Sequence, residues 1–474
     1  MKTFTAKWET LCRRFLPVSN DADIWRYSRE PAPSDPLQGW KLHVSATLLT
    51  ANTVLERLGP LLTDLQVLFK APRSLEELSR INAGVYYGYS QVGKCFTIYP
   101  ATDDDSVALA ERIDRLLRSL PGPTIPFDSR YSRESPVFYR YGAFKPQRLE
   151  VQNGAVAKAI RDPSGNLVID RRDGPAPSWV SNPFPETSSD NERQTSETNF
   201  RVVRALNQRG KGGVYLAIHF VEPMPRICIL KEGRRFGETA FDGRDGRWRI
   251  RRERKALVSL AQHGVRVPEV LSCFEANDHY YLAIEYIDGQ TLEKFLERRK
   301  RRLPLTQTLD FIRQVATILE RIHSAGWVWR DCKPANLILA AGRQLRPVDF
   351  EGSCRIGDRN PIGWGTQQYV PRLTRKGGRV AHPSVDLYAL GVIAYYLITG
   401  HFPSERNPVP VQDLRRNVPV EIQTLISQML SDDSQMCPTA SEVVGFTSKV
   451  GFALGSGQLQ GAVATWSINA EGVR

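Results

Sequence analysis

A chain of 474 residues is too long for one ordinary core, so two or three domains are expected. Its hydrophobic content of 41% suffices for packed interiors, but no run of about 18 uninterrupted apolar residues occurs, and Met1 to Thr10 lacks a signal-peptide core, so a cytoplasmic protein with no membrane partner is expected. Seven cysteines without a Cys-x-x-Cys pair argue against a zinc knuckle or a disulfide framework, and the net charge of +13 favours acidic partners such as nucleotides, phosphorylated groups, acidic peptides or nucleic acid.

After a Pro-rich approach over 30–38, residues 40–45 alternate with the strand period. Trp40, Leu42 and Val44 are thereby directed to a core, with Lys41, His43 and Ser45 on the other, open face. Two basic residues side by side there are either a half-solvated strand or part of a phosphate site. Next come helical spacing over 47–63, a strand over 66–70 that ends in Lys70, and a helix over 75–81. A strand over 95–100 contains Tyr99, and a helix over 106–120 is stopped by Pro121-Gly122-Pro123. Residues 1–150 are expected to form an α+β domain with basic and aromatic residues at strand ends.

Four ordered blocks stand out: Gly39-Trp-Lys-Leu-His-Val-Ser-Ala, Phe69-Lys-Ala-Pro-Arg, Gly93-Lys-Cys-Phe-Thr-Ile-Tyr-Pro and Ser135-Pro-Val-Phe-Tyr-Arg-Tyr-Gly-Ala-Phe. Together they resemble the N-terminal domain of class III and IV lanthipeptide synthetases, which is similar in turn to the effector phosphothreonine lyases. The resemblance implies a phosphothreonine-lyase-like fold and a β-elimination that turns phosphoserine or phosphothreonine into a dehydroamino acid. Such chemistry needs a base for the α-proton, an acid for the departing bridging oxygen, and cations around the phosphate dianion. By match to the blocks, Lys70 is the candidate base and His43 the candidate acid. Lys41, Arg130 and Arg140 are candidate phosphate ligands whose field would also lower the pKa of the lysine. Tyr99 either donates a hydrogen bond to substrate or only packs a strand end. Lys94 and Arg80 are spare cations, and Asp128 is expected to orient an arginine.

Residues 151–198 open with a turn and a short strand and continue rich in Pro, Ser, Asn and Thr, which reads as an interdomain linker. Beyond it, Gly210, Gly212 and Gly213 lie in a turn between two strands, where they form a simple hairpin or let the backbone approach nucleotide phosphates. Lys231 ends the next apolar strand and Glu253 lies in the helical segment after it, a pair that would position the α- and β-phosphates. Alone, Lys231 is an ordinary strand-end charge and Glu253 an i,i+4 partner of its basic neighbours. Residues 280–287 form a strand into a hinge, where backbone groups from Glu285 to Ile287 would meet adenine.

Then Trp329-Arg-Asp-Cys-Lys-Pro-Ala-Asn and Asp349-Phe-Glu-Gly give the layout of a phosphoryl-transfer site. Asp331 would accept or orient a hydroxyl proton, Lys333 would steady the transferred phosphate, and Asn336 with Asp349 would hold Mg2+. Asp386, heading an apolar helix, either braces this loop through backbone N–H groups or caps the helix. Order and spacing over 199–450 together define a bilobal protein-kinase-like domain, with ATP or another NTP and Mg2+ as cofactors.

Three features depart from the usual kinase pattern. Trp329 replaces a histidine, Glu351 a glycine, and Pro371-Arg372 does not restore Ala-Pro-Glu. A glutamate after Asp-Phe is itself similar to lanthipeptide-synthetase kinase domains, where it either adds a magnesium ligand or stiffens the loop. The basic runs over 244–255 and 297–302 read as solvated helix faces or as attraction for an acidic leader peptide or nucleic acid. No aromatic residues interleave around Arg301, so no nucleic-acid partner is expected. Residues 451–474 read as a tail or a truncated linker. Because the three-domain synthetases continue into a cyclase, the resemblance implies that cyclisation falls to residues beyond this chain or to a separate cyclase.

The combined expectation is a dehydratase that phosphorylates Ser/Thr of a leader-bearing precursor peptide and then eliminates the phosphate. The alternatives are a signalling Ser/Thr kinase whose N-terminal domain only binds phosphopeptides, and a nucleotide-binding scaffold without turnover.

Overall fold

The structure, a computed structural model, describes residues 2–20, 23–151, 154–185, 199–299, 301–361, 363–372, 381–404 and 407–455. Two compact units divide the chain, one formed by 1–250 with 273–283 and the other by 251–272 with 284–474. The architecture is α+β.

In the first unit the strands are β1 (Val18–Ser19), β2 (Trp25–Tyr27), β3 (Gln38–Ser45), β4 (Leu68–Pro72), β5 (Lys94–Tyr99), β6 (Ser129–Arg130) and β7 (Val137–Ala143). They form one sheet in the order β1-β2-β4-β5-β3-β7-β6, antiparallel throughout. One face of it is covered by α1 (Lys2–Phe15), α2 (Ala51–Asp64), α3 (Leu75–Ala83) and α4 (Asp103–Leu117). Trp40, Leu42 and Val44 are buried there among Trp8, Leu55, Phe96 and Ile113, as the alternation predicts. Helix α4 starts earlier than its apolar spacing suggests. The Thr102 hydroxyl accepts the backbone N–H of Asp105, and three aspartates occupy the first turn where the helix dipole favours them. Ser74 caps α3 in the same way, and Gly84, at φ +72°, ends it in the left-handed conformation.

The opposite face of the sheet is not open. Lys41 and His43 are only 8% and 4% exposed, because chain beyond β7 lies over them. There β8 (Arg148–Glu150), β9 (Val156–Arg161) and β10 (Leu167–Ile169) make a three-stranded sheet, so the domain boundary drawn at residue 150 falls inside a folded element. Residues 186–198 of the expected linker and 456–474 of the expected tail lie outside the described residues.

A five-stranded sheet follows the hairpin pattern read from the sequence, with β11 (Phe200–Arg209), β12 (Gly212–His219), β13 (Arg226–Gly233), β14 (Val270–Ala276) and β15 (His279–Glu285) in the order β11-β12-β13-β15-β14. Between β13 and β14 runs α5 (Gly246–Gln262). The second unit is largely helical, with α6 (Leu292–Glu297), α7 (Leu305–Ser324), α8 (Ser384–Thr399), α9 (Val411–Leu414), α10 (Val420–Met429) and α11 (Ala440–Gly455). Helix α8 is apolar all round and almost wholly buried, with α7 and α10 packed on it. Among the described residues no helix is long and apolar enough to cross a membrane.

Candidate active sites

Strand register assembles the first site. Tyr27 of β2 lies across from Lys70 of β4, Lys70 across from Thr97 of β5, and Thr97 across from His43 of β3. Lys41 of β3 faces Arg140 of β7. Directly paired residues share a face and a strand repeats every second residue, so Trp25, Lys41 and Tyr99 join the same side. These side chains line one cavity of about 1040 Å³. Of the sequence-predicted residues, the structure therefore brings together Lys41, His43, Lys70, Lys94, Tyr99 and Arg140.

Arg130 does not join them. Its guanidinium donates to the Thr124 hydroxyl and the Arg133 carbonyl and lies over the Phe138 ring, so it has no place in the cavity wall. Asp128, expected to orient an arginine, instead bridges His43 Nδ1 at 2.5 Å and Lys94 Nζ at 3.0 Å. This fixes one imidazole nitrogen and leaves Nε2 for chemistry. Lys158, Asp170 and Arg172, absent from the sequence expectation, also line the cavity. Asp170 pairs with Arg140, and the Arg171 carbonyl accepts from the same guanidinium. The signal for these residues was a run of charges on a short strand, which reads as a linker when nothing shows what it covers.

The electrostatics suit an anion and a base. Burial lowers the Lys70 pKa to about 8, with Lys158, Arg172 and Lys94 adding to the shift and Asp23 opposing it. Lys41 falls well below the ordinary lysine value, again mainly through desolvation, while its Nζ donates to the Ala143 carbonyl. Burial and Lys94 lower the His43 pKa to about 3 against the pull of Asp128, which makes the ring neutral at physiological pH. An arriving dianion supplies the opposite charge that would draw a proton to it. Burial raises the Tyr99 hydroxyl, which keeps it a donor. Arg140 has a buried Nε without a hydrogen-bond partner, a donor left for a phosphate oxygen.

The second site belongs to the second unit. There β16 (Gln290–Thr291) pairs with β18 (Leu337–Leu339), β18 pairs with β19 (Leu345–Pro347), and β17 (Trp327–Val328) pairs with β20 (Cys354–Arg355). Between these strands the Asp331 carboxylate accepts from Asn336 Nδ2 at 2.7 Å and from Lys333 Nζ at 3.0 Å. Burial raises the Asp331 pKa, and Lys333 pulls it back. Asp386 braces the loop from α8, accepting the backbone N–H groups of Trp329 at 2.8 Å and Arg330 at 2.6 Å. Arg330 and Asp349 both sit at positive φ, +68° and +66°, strained positions of the kind that collect at functional loops.

Trp329 explains its own departure from the usual histidine. Its ring stacks on Phe350 at 5.5 Å, and its indole N–H donates to the Asp349 carbonyl at 2.9 Å. Trp329→Ala is expected to lower stability by about 3–5 kcal/mol, the usual cost of truncating a fully buried large aromatic, as read by chemical denaturation. Glu253 accepts the backbone N–H of Phe350 at 3.0 Å, and Glu253, Asp349 and Glu351 bring carboxylate oxygens within 4.8 Å of one another. Hard oxygen donors of this kind fit Mg2+, and Asn336, whose Nδ2 is engaged by Asp331, has its Oδ1 left to contribute.

The nucleotide-side expectations fare unevenly. Lys231 is buried within β13, two residues before its end. The Gly210 N–H donates to the Ala83 carbonyl at 3.0 Å, so it is engaged by α3 and is not available to a phosphate. A Cβ on Gly212 would lie 1.7 Å from the Glu232 carbonyl oxygen, and one on Gly213 would strike the Tyr215 ring, so close backbone packing requires both glycines. Glu285 gives its N–H to the Glu269 carbonyl and its carboxylate to Arg346. That leaves the Glu285 carbonyl and the backbone of the residues after it, Ile287 included, for adenine.

Two protein families match separate parts of the chain. The RamC N-terminal domain family matches residues 17–196 and the protein kinase domain family residues 238–446. Among particular relatives, the chain is 32% identical over 385 residues to the probable SapB synthase of Streptomyces coelicolor, covering 77% of this chain and 40% of that protein. It is 30% identical over 228 residues to serine/threonine-protein kinase PknA of Nostoc, covering 46% and 40%, and 28% identical over 254 residues to serine/threonine-protein kinase F of Synechocystis, covering 46% and 50%. The chain thus spans half or less of the length of these curated relatives. The resemblance read from the N-terminal blocks agrees with the RamC N-terminal domain match and with the SapB synthase relative.

Proposed function

We propose that the chain is a lanthipeptide-type dehydratase that phosphorylates Ser/Thr of a precursor peptide and then eliminates the phosphate to give dehydroalanine or dehydrobutyrine. The observation that carries this reading is the convergence of Lys70, His43, Lys41 and Arg140 on one cationic cavity, in a chain that also holds the Asp331 loop. A domain that only bound phosphopeptides would need the cations but not a lysine and a histidine whose proton affinities are both depressed.

In the kinase half, Asp349 and Asn336 would hold Mg2+, and Lys231 the nucleotide phosphates. ATP supplies the phosphoryl group when bound. Asp331 orients the substrate hydroxyl and takes its proton, and Lys333 steadies the transferred group. In the lyase half, Lys41, Arg140, Lys158 and Arg172 surround the phosphate dianion. Neutral Lys70 removes the α-proton, the electron pair closes the Cα=Cβ bond, and the Cβ–O bond breaks. His43, charged by the dianion and oriented by Asp128, gives its proton to the departing oxygen, so phosphate leaves as the monohydrogen dianion. The precursor peptide, its leader and a separate cyclase are the partners implied, and the cytoplasm is the proposed location.

Mass spectrometry of a candidate precursor peptide incubated with ATP, Mg2+ and the protein tests the reading. Loss of one water per modified residue is the expected result. Stable gain of phosphate with no loss would assign the chain to signalling kinases instead.

A further inference from the structure

Lys70 stands partly buried in the cavity wall, and among the described residues its ammonium has no carboxylate, carbonyl or hydroxyl partner. It has two aromatic rings instead. Nζ lies 4.4 Å from the Trp25 ring centroid and 5.7 Å from that of Tyr27. Register produces this arrangement, since Tyr27 pairs directly with Lys70 and Trp25 lies two residues along the same face. Asp23 fixes the start of β2, accepting the backbone N–H of Trp25 at 3.4 Å and the Tyr27 hydroxyl at 3.3 Å.

We propose that Trp25, assisted by Tyr27, is a positioning residue for the elimination, holding Lys70 in place through ring–ammonium contact. A lysine stem is long and flexible, and something must return it to one position after each proton transfer. A carboxylate in contact would do so, but it would also bind the proton tightly and keep the base charged. A ring face attracts the ammonium more weakly and has no lone pair with which to hold the ammonium's proton. The other charged groups around Lys70 are Asp23 ahead of β2, Lys94 on β5, Lys158 on β9 and Arg172 beyond β10, with Lys41 on β3 also within its field. The cations favour the neutral amine, and only Asp23 and the rings favour the ammonium.

The inference rests on the reading of Lys70 as the base, and the test separates the two. Lys70 reactivity is measured by competitive acetylation with acetic anhydride across pH, read by mass spectrometry, which needs no substrate. Trp25→Leu is expected to move the Lys70 titration about one pH unit lower. With a synthetic phosphothreonine peptide, elimination should fall about tenfold or more while the acid limb of its pH profile moves the same way, and Trp25→Phe should restore most of the rate. An unmoved Lys70 titration in folded Trp25→Leu overturns the cage. Should Trp25→Leu fail to fold, an unmoved titration in Trp25→Phe overturns it equally, since a smaller shift in the same direction is expected there. Wild-type protein that labels as expected yet never eliminates would instead sink the lyase reading and leave the ring contact standing.

Discussion

Lys70→Ala is expected to convert the protein into one that only phosphorylates. Peptide incubated with ATP should accumulate phosphate, and elimination from a phosphopeptide should drop by about 10²–10⁴-fold, the range a positioned general base contributes. The reason lies in the chemistry of the α-proton. It is weakly acidic, and surrounding cations stabilise the departing phosphate but cannot remove a proton. With Lys70 gone, the cavity retains Lys41, Arg140, Lys158 and Arg172, so phosphopeptide binding should survive. Lysines 41 and 94 cannot substitute, because each already donates to a fixed acceptor, the Ala143 carbonyl and the Asp128 carboxylate.

The pH dependence carries an independent sign. As the proposed base Lys70 would act when neutral, and burial lowers its pKa to about 8. In wild-type protein kcat/KM for elimination should therefore rise with pH through about 8 and level off above it. The bound dianion favours the ammonium, so the corresponding limb in kcat should lie at higher pH. Residual activity in Lys70→Ala should lack that limb. A profile that kept it would mean that some other group removes the proton.

How much of this was legible in the sequence follows from what each signal depends on. The Asp331 loop was readable because its parts are local. Asp331, Lys333 and Asn336 lie within six residues, and their mutual hydrogen bonds follow from one turn of chain. The alternation at Trp40, Leu42 and Val44 correctly gave the core face of β3. It could not show that the other face is covered, because the covering chain, residues 144–172, is short, charged and Pro-interrupted, and reads as a linker without its tertiary partner. Lys158, Asp170 and Arg172 were missed for that reason, and Asp128 was paired with the wrong class of residue. Arg130, named a phosphate ligand from the resemblance, is absent from the cavity lining. It stands on a two-residue edge strand, where its guanidinium finds Thr124 and Arg133 instead of the cavity. The glycine turn was recognised by composition, but composition cannot tell an N–H free for phosphate from one that the Ala83 carbonyl already holds.

Asp331→Asn should produce the complementary defect. Phosphorylation should fall by about 10²–10⁴-fold, since the hydroxyl loses its proton acceptor. Because asparagine keeps the shape, its carbonyl oxygen can still accept from Asn336, and the loop braced by Asp386 should stay folded. A chemically phosphorylated peptide should still be eliminated at the wild-type rate, as the lyase cavity contains no group from that loop. Mixing Lys70→Ala with Asp331→Asn then gives the decisive experiment. Each chain supplies the step the other lacks, so dehydrated peptide should return, but the phosphopeptide must now leave one chain and find another. Fusion of two sites in one polypeptide gives an effective concentration near the millimolar range for a short flexible tether. The mixture should therefore show a transient pool of phosphopeptide that grows on dilution, whereas wild-type protein should show little at any concentration. Mixed variants that match wild type on dilution would show that the two steps are not coupled by the chain that joins them.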